Sequence, residues 1–162
     1  MAKTILITGA TSGFGAACAR RFASAGWQMI LTGRRAERLE RLREELGGAV
    51  TQTLAFDVRD RAAVDRHLQG VEVDVLLNNA GLALGLEPAW QADPADWETM
   101  VDTNVKWVMY CTRALLPGMV ARNRGHVVNI SSTAAHWPYP GGNVYGASKA
   151  FVEQFTRNLR AD

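Results

Sequence analysis

The sequence predicts an α/β fold in which a doubly wound parallel sheet carries helices on both faces, and three observations support it. Short, β-rich apolar runs alternate with helix-patterned stretches along the 162 residues. The runs are nearly continuous in apolar character, as strands buried on both faces require. Joining successive strands through helices implies parallel pairing and right-handed crossovers. Five strands are expected, near residues 4–8, 28–33, 50–56, 73–78 and 125–130. No repeat or linker interrupts the pattern, so residues 1–162 read as a single domain.

The first element is Lys3-Thr4-Ile5-Leu6-Ile7-Thr8, which runs directly into Gly9-Ala10-Thr11-Ser12-Gly13-Phe14-Gly15 and then a helical stretch over 16–25. Strand, glycine-rich turn and helix in that order form the opening unit of a Rossmann-type dinucleotide-binding fold. The glycines permit close backbone approach, and the helix N-terminus offers free N–H groups to a pyrophosphate. Without its flanking strand and helix, the same segment would read as a plain glycine-rich turn.

The second strand ends in Gly33-Arg34-Arg35. NAD-using proteins often carry an acid here to bond the ribose 2′-hydroxyl, whereas guanidinium groups bind a 2′-phosphate through paired charge-assisted hydrogen bonds. NADP is therefore the expected cofactor, with Ser12 able to add a hydroxyl. The alternative for Arg34 and Arg35 is that they merely open a charged helix, since residues 34–45 interleave acids and bases as a solvated face does. A long helix is expected over 93–119, with Pro94 at its start and Pro117 near its end, followed by a turn at Gly125.

Downstream, Ser132, Tyr145 and Lys149 follow an S-x12-Y-x3-K spacing. On a helix, Tyr145 and Lys149 share a face one turn apart. A free tyrosine ionises near pH ~10, so a neighbouring cation is what lets its phenol exchange a proton nearer neutrality.

Taken together, TGATSGFG (Thr8 to Gly15), Asp57-Val58, NNAG (Asn78 to Gly81), Asn104, Ser132 and YGASK (Tyr145 to Lys149) resemble the short-chain dehydrogenase/reductase family, in its order and spacing. Within it, TGRRAERL, NNAGLALGLEPA, DWETMVDTN and GGNVYGASKAFV are similar to the NADP-dependent 3-hydroxy acid dehydrogenases, which act on serine, allo-threonine and related acids and reduce malonic semialdehyde. The resemblance implies Tyr145 as general acid/base, Ser132 as hydrogen-bond partner of the reacting oxygen, and Lys149 as the group that lowers the phenol pKa and reaches the nicotinamide ribose. It also implies that Asn104 helps hold a water beside Lys149. For NADP it implies contacts from Gly9, Thr11, Ser12, Gly13, Phe14, Gly15, Arg34, Arg35, Asp57, Val58, Asn79, Ala80, Gly81, Tyr145 and Lys149. Asp57 and Val58 would meet the adenine and Gly81 the nicotinamide ribose, while Asn78 and Asn79 either touch cofactor or tie strand ends together. Ser131 competes with Ser132, but the family spacing selects Ser132.

Composition, at 48% hydrophobic and 21% charged, is that of an ordinary globular domain. A net charge of +2 is too small to argue for nucleic-acid or membrane binding, and neither partner is expected. Cys18 and Cys111 sit among apolar neighbours and read as reduced thiols, and no signal-peptide or membrane-span pattern is present, so a cytoplasmic location is expected. His67, His126 and His136 lack metal-ligand spacing, so no metal is expected. Trp90, Trp97 and Trp107 read as packing residues, and Trp137-Pro138-Tyr139 as either substrate pocket or loop packing. Members of the family continue past the position of Asp162 into further strands and helices, so the chain is expected to be truncated relative to them, with its fifth strand an exposed edge. Association is expected, a tetramer by resemblance. Two function classes follow: an NADP-dependent oxidoreductase acting on a small hydroxy acid or carbonyl compound, or a non-catalytic nucleotide-binding or interaction fragment of one.

Overall fold

The opening apolar run forms β1 (Thr4–Ile7), and the glycine-rich turn leads into α1 (Gly13–Ser24). Then come β2 (Gln28–Gly33), α2 (Ala36–Leu46), a short 3₁₀ turn (Gly47–Ala49), β3 (Val50–Ala55), α3 (Arg61–Leu68) and β4 (Val75–Asn78). The second half holds α4 (Pro94–Val101), a π-helical turn (Asp102–Lys106), α5 (Trp107–Ala121), β5 (His126–Asn129), a 3₁₀ turn (Thr133–Ala135) and α6 (Asn143–Asn158). This computed structural model describes residues 2–162.

All strand pairs are parallel, and the sheet order is β3-β2-β1-β4-β5. The chain therefore winds outward from β1 through β2 to β3, then crosses back to place β4 on the other side of β1. In such sheets the connections diverge above the strand ends where the order reverses, which opens a crevice at the carboxyl ends of β1 and β4.

Because successive side chains on a strand point to opposite faces, each strand feeds two cores. On one face Leu6, Ile30 and Leu76 pack with Val64 and Leu68 of α3, Trp107, Cys111 and Leu115 of α5, and Val152 of α6. On the other, Ile5, Ile7, Met29, Leu31 and Leu77 pack with Ala19 of α1 and Leu39 and Leu42 of α2. Each of these large side chains contributes about 1.5–3 kcal/mol by leaving water.

The fold departs from the sequence expectation in identifiable places. β3 is not a continuous apolar run: Thr51 and Gln52 are both exposed. The register jumps from Met29↔Val50 to Ile30↔Gln52, so Thr51 is an extra residue bulged out of the edge strand, its hydroxyl donating to Met29 O (3.1 Å). β4 starts at Val75, two residues after the expected start, and just before it the Asp74 carboxylate accepts the Thr4 amide at 2.8 Å. Helix α1 begins at Gly13, ahead of the expected residue 16. The expected long helix is interrupted by the π turn around buried Asn104, and Pro117 lies inside α5. Asn123, in the left-handed region (φ 47°), ends that helix run. Of the tryptophans expected to pack, Trp107 is buried, but Trp90 stands 83% exposed because it lies in the irregular segment before α4 rather than on a helix.

Candidate active site

The carboxyl ends of β1 and β4 are tied together by one hydroxyl. Thr8 Oγ1 donates to Leu77 O (3.2 Å) and accepts from the amides of Asn79 (3.0 Å) and Ala80 (3.2 Å). The Asn79 side chain completes the joint by donating to Thr8 O (2.9 Å) and Gly9 O (3.2 Å). The turn is packed so closely that only glycine fits at two positions. A Cβ on Gly9, which has φ +65°, would lie 2.8 Å from Ala80 Cα, and one on Gly15 would lie 2.3 Å from Gly9 O.

Above this joint opens a cleft of about 330 Å³. Gly9, Thr11, Ser12, Gly13 and Phe14 border it from the first turn, and Arg34 and Arg35 from the end of β2. Asp57 and Val58 follow β3, and Asn79, Ala80 and Gly81 follow β4. Of the cofactor positions expected from sequence, Gly15, Tyr145 and Lys149 do not border it; Gly15 lies beneath the turn. Phe14 is 77% exposed at the rim.

Two cations of the cleft are already organised. Arg35 Nη2 donates to Thr11 Oγ1 (2.9 Å) and Ser12 Oγ (3.2 Å), so a guanidinium and two hydroxyls converge where β2 meets the glycine turn. Arg59 grips Asp57 through Nε and Nη2, the latter 2.6 Å from Oδ2. Those hydrogen bonds hold the Asp57 carboxyl below the usual range against the opposing effect of partial burial, and the charge of Arg34 acts in the same direction as Arg59.

Outside the lining of the cleft, α6 carries Tyr145 and Lys149 one turn apart, with Lys149 beside Gly81. Lys149 is buried, its Nζ donates to Ile130 O (2.9 Å), and it stands 5.9 Å from the centroid of the Tyr145 ring. Burial pushes its pKa below the ordinary lysine value. A Cβ on Gly81 would lie 3.4 Å from that ammonium and 3.3 Å from Asn104 Oδ1, so the end of β4, the π turn and α6 meet here. Asn104 is fully engaged: Oδ1 accepts from Leu82 N (2.9 Å), and Nδ2 donates to Leu82 O (2.8 Å) and Ser148 Oγ (3.0 Å). Ser148 in turn donates to Tyr145 O (2.7 Å).

The paired serines separate by direction. Ser131 Oγ donates to Lys149 O (3.0 Å), fastening the loop to α6, whereas Ser132 Oγ accepts the Ala134 amide (3.2 Å) at the start of the 3₁₀ turn. Sequence reasoning missed Thr8, Arg59 and Ser148. Thr8 and Ser148 lie inside the motifs already singled out, but only the fold reveals their partners, while Arg59 two residues after Asp57 was a legible ion pair. Asn78 is turned away from the cleft, donating to Thr112 Oγ1 (3.2 Å) and Asn129 Oδ1 (2.7 Å). Among the described residues, no group of three or more His, Cys, Asp or Glu side chains could hold a metal, and no helix is long and apolar enough to cross a membrane.

Known proteins share this arrangement. The family described as short chain dehydrogenase matches residues 3–162. The NADP-dependent 3-hydroxy acid dehydrogenase YdfG of Salmonella typhi is 60% identical over 98% of this chain, which spans 65% of that relative's length. The serine 3-dehydrogenase of Rhizobium radiobacter is 54% identical over the whole chain and 66% of its own length. The crystal structure of serine dehydrogenase from Escherichia coli superposes with a TM-score of 0.95 at 56% identity, covering 98% of this chain and 76% of that one. A closed form of serine dehydrogenase complexed with NADP+ also gives 0.95 at 56% identity, over 98% of this chain and 66% of that chain. With the family model spanning residues 3–162 and identities of 54–60% to these relatives, the chain belongs to the short-chain dehydrogenase family.

Proposed function

We propose that residues 1–162 form the NADP-binding, proton-transferring domain of an oxidoreductase that moves hydride between NADP(H) and the hydroxyl or carbonyl carbon of a small 3-hydroxy acid or related compound. The observation that carries this reading is Lys149 Nζ, buried 5.9 Å from the Tyr145 ring and beside Gly81 at the end of the cleft. The residues present fit NADP: the glycine turn borders the cleft through Gly9 and Gly13, and Arg35 with Thr11 and Ser12 offers five-donor chemistry and two hydroxyls to a 2′-phosphate. Arg34 reinforces the positive end, and Asp57 and Val58, which border the cleft, would meet the adenine. Bound NADPH supplies the hydride.

The chain's own residues manage the proton. Tyr145 donates it to the carbonyl oxygen in reduction and removes it from the alcohol in oxidation, and Ser132 hydrogen-bonds the same oxygen. The Lys149 ammonium favours the phenolate and, past Gly81, reaches the nicotinamide ribose. Asn104 holds Leu82 and Ser148 in place around that ammonium. The partner is a small molecule, the location cytoplasmic and the assembly a homo-oligomer.

The test is loss of NADPH absorbance with malonic semialdehyde, beside direct titration of NADPH and NADH binding. Turnover and tighter NADPH than NADH are expected, with Arg34→Asp reversing the preference; each charge-assisted bond of about 1.5–3 kcal/mol corresponds to roughly tenfold or more. Equal affinity for both cofactors would overturn the NADP reading. Cofactor binding without turnover of any hydroxy acid or semialdehyde would favour a non-catalytic nucleotide-binding domain.

A further inference from the structure

We propose that Asn143 is a positioning residue for the proton-transfer helix, holding the first turn of α6 against both α4 and the loop that follows β4. The proposal rests on the oxidoreductase reading and deepens it. Asn143 opens α6, two residues before Tyr145. Its Oδ1 accepts from Trp97 Nε1 (3.1 Å) and from Val144 N (2.7 Å), while its Nδ2 donates to Glu87 O (3.2 Å).

The chemistry of the partners explains why an amide is needed. An indole N–H can only donate and a backbone carbonyl can only accept, so one side chain must offer both functions in a fixed geometry. Asparagine does so, aspartate keeps only the acceptor, and alanine keeps neither.

The first turn of α6 is also fastened from its inner side, where Ser148, held by Asn104, donates to Tyr145 O, but Asn143 ties it to α4 and to the loop after β4. Its N-cap is Gly142, which has no side chain to cap with. The fastenings from Ser131 and Ile130 attach at Lys149, one turn later. The packing at Gly141 also leaves no slack: φ is +77°, and a Cβ there would lie 2.3 Å from Leu86 O. Asn143 and this contact thus set the distance between the loop after β4, which begins at the cleft, and the end of α6 that bears Tyr145. Proton transfer tolerates little error in that distance, since a displacement of ~1 Å can cost ~10²-fold in rate. The glycine turn and Arg35 lie on other elements and do not depend on Asn143 for their hydrogen bonds.

A split between turnover and cofactor binding follows. Asn143→Ala is expected to lower kcat by roughly 10- to 100-fold while leaving the NADPH dissociation constant within about twofold. Trp97→Phe, which removes the indole donor, should lower kcat in the same direction, and Asn143→Asp should recover part of the loss. An unchanged kcat in Asn143→Ala, or a loss of NADPH affinity as large as the loss of kcat, would overturn the proposal. Amide hydrogen exchange on the NADPH-bound protein decides the matter independently of activity. Faster exchange over residues 143–149 in Asn143→Ala, with α1 unchanged, sustains the positioning role even if the unmodified protein turns over no substrate and the oxidoreductase reading falls. Unaltered protection there overturns it.

Discussion

Lys149 is the side chain on which the proposed chemistry most depends, because an ammonium at a buried position is an unusual thing for a fold to keep. Its Nζ has Ile130 O as its hydrogen-bond acceptor, and desolvation lowers its pKa from the ordinary 10.5. The consequence for stability has a definite sign. Between the folded-state value and 10.5 the unfolded chain binds the proton that the native chain has released, so stability rises with pH through that window, and the cost of burial is fully present below it. Lys149→Met should therefore be more stable than the unmodified protein near neutrality, with the advantage shrinking as the pH approaches the unfolded lysine value. Urea titrations at several pH values check this, and a pH-independent difference would contradict it. Tyr145→Phe removes only a transferable proton, so kcat for carbonyl reduction should fall by ~10²–10⁴-fold with NADPH binding nearly intact. Retention of more than about a tenth of the rate would show that another group is the acid.

At the scale of elements, the joint between β1 and β4 decides where the cleft opens. Thr8 satisfies two amides and one carbonyl at once, all in the part of the sheet that borders the ligand crevice. Thr8→Val conserves the shape but strands the half-buried amides of Asn79 and Ala80, where an unpaired donor costs up to about 1–3 kcal/mol. The variant should lose roughly 2–4 kcal/mol in chemical denaturation and bind NADPH more weakly. A loss under about 0.5 kcal/mol would mean that water replaces the hydroxyl. The π turn between α4 and α5 is a second device of this kind. It turns Asn104 inward so that one amide spans Leu82 and Ser148, linking the loop after β4 to α6. A motif reading identifies Asn104 but not this use of it, because the spacing of polar residues along a helix carries no record of an extra residue in one turn.

Across the whole molecule, the sheet divides the buried apolar side chains into two separate cores. Ile7 belongs to the core under α1 and α2, and Leu115 to the core under α3 and α5. Ile7→Val should cost about 0.5–1.5 kcal/mol and Leu115→Ala about 2–5. Because the two sites share no partner, the double variant should lose the sum to within ~0.5 kcal/mol. A coupling energy well above that, measured in one denaturant series, would show that strain passes through the sheet.

The alternation of apolar strands and helices, the glycine turn, the arginines after β2 and the Tyr145–Lys149 spacing were all legible in the sequence, because each expresses a local rule: side-chain period, backbone freedom or separation by one helical turn. Family resemblance added the roles. What the sequence left open depended on residues far apart in the chain. Arg35 leaves the helix-opener reading open until it is seen bonded to Thr11 and Ser12, 24 and 23 positions away. Asn78 and Asn79 are adjacent, yet one knits β4 to β5 and α5 while the other closes the turn at β1. Asn143 acquires its meaning from Trp97 and Glu87, 46 and 56 positions away. Hydrophobic period specifies which face of an element is buried, but a polar side chain's use is set by the donor or acceptor that folding brings within about 3 Å of it, and only the tertiary structure decides that.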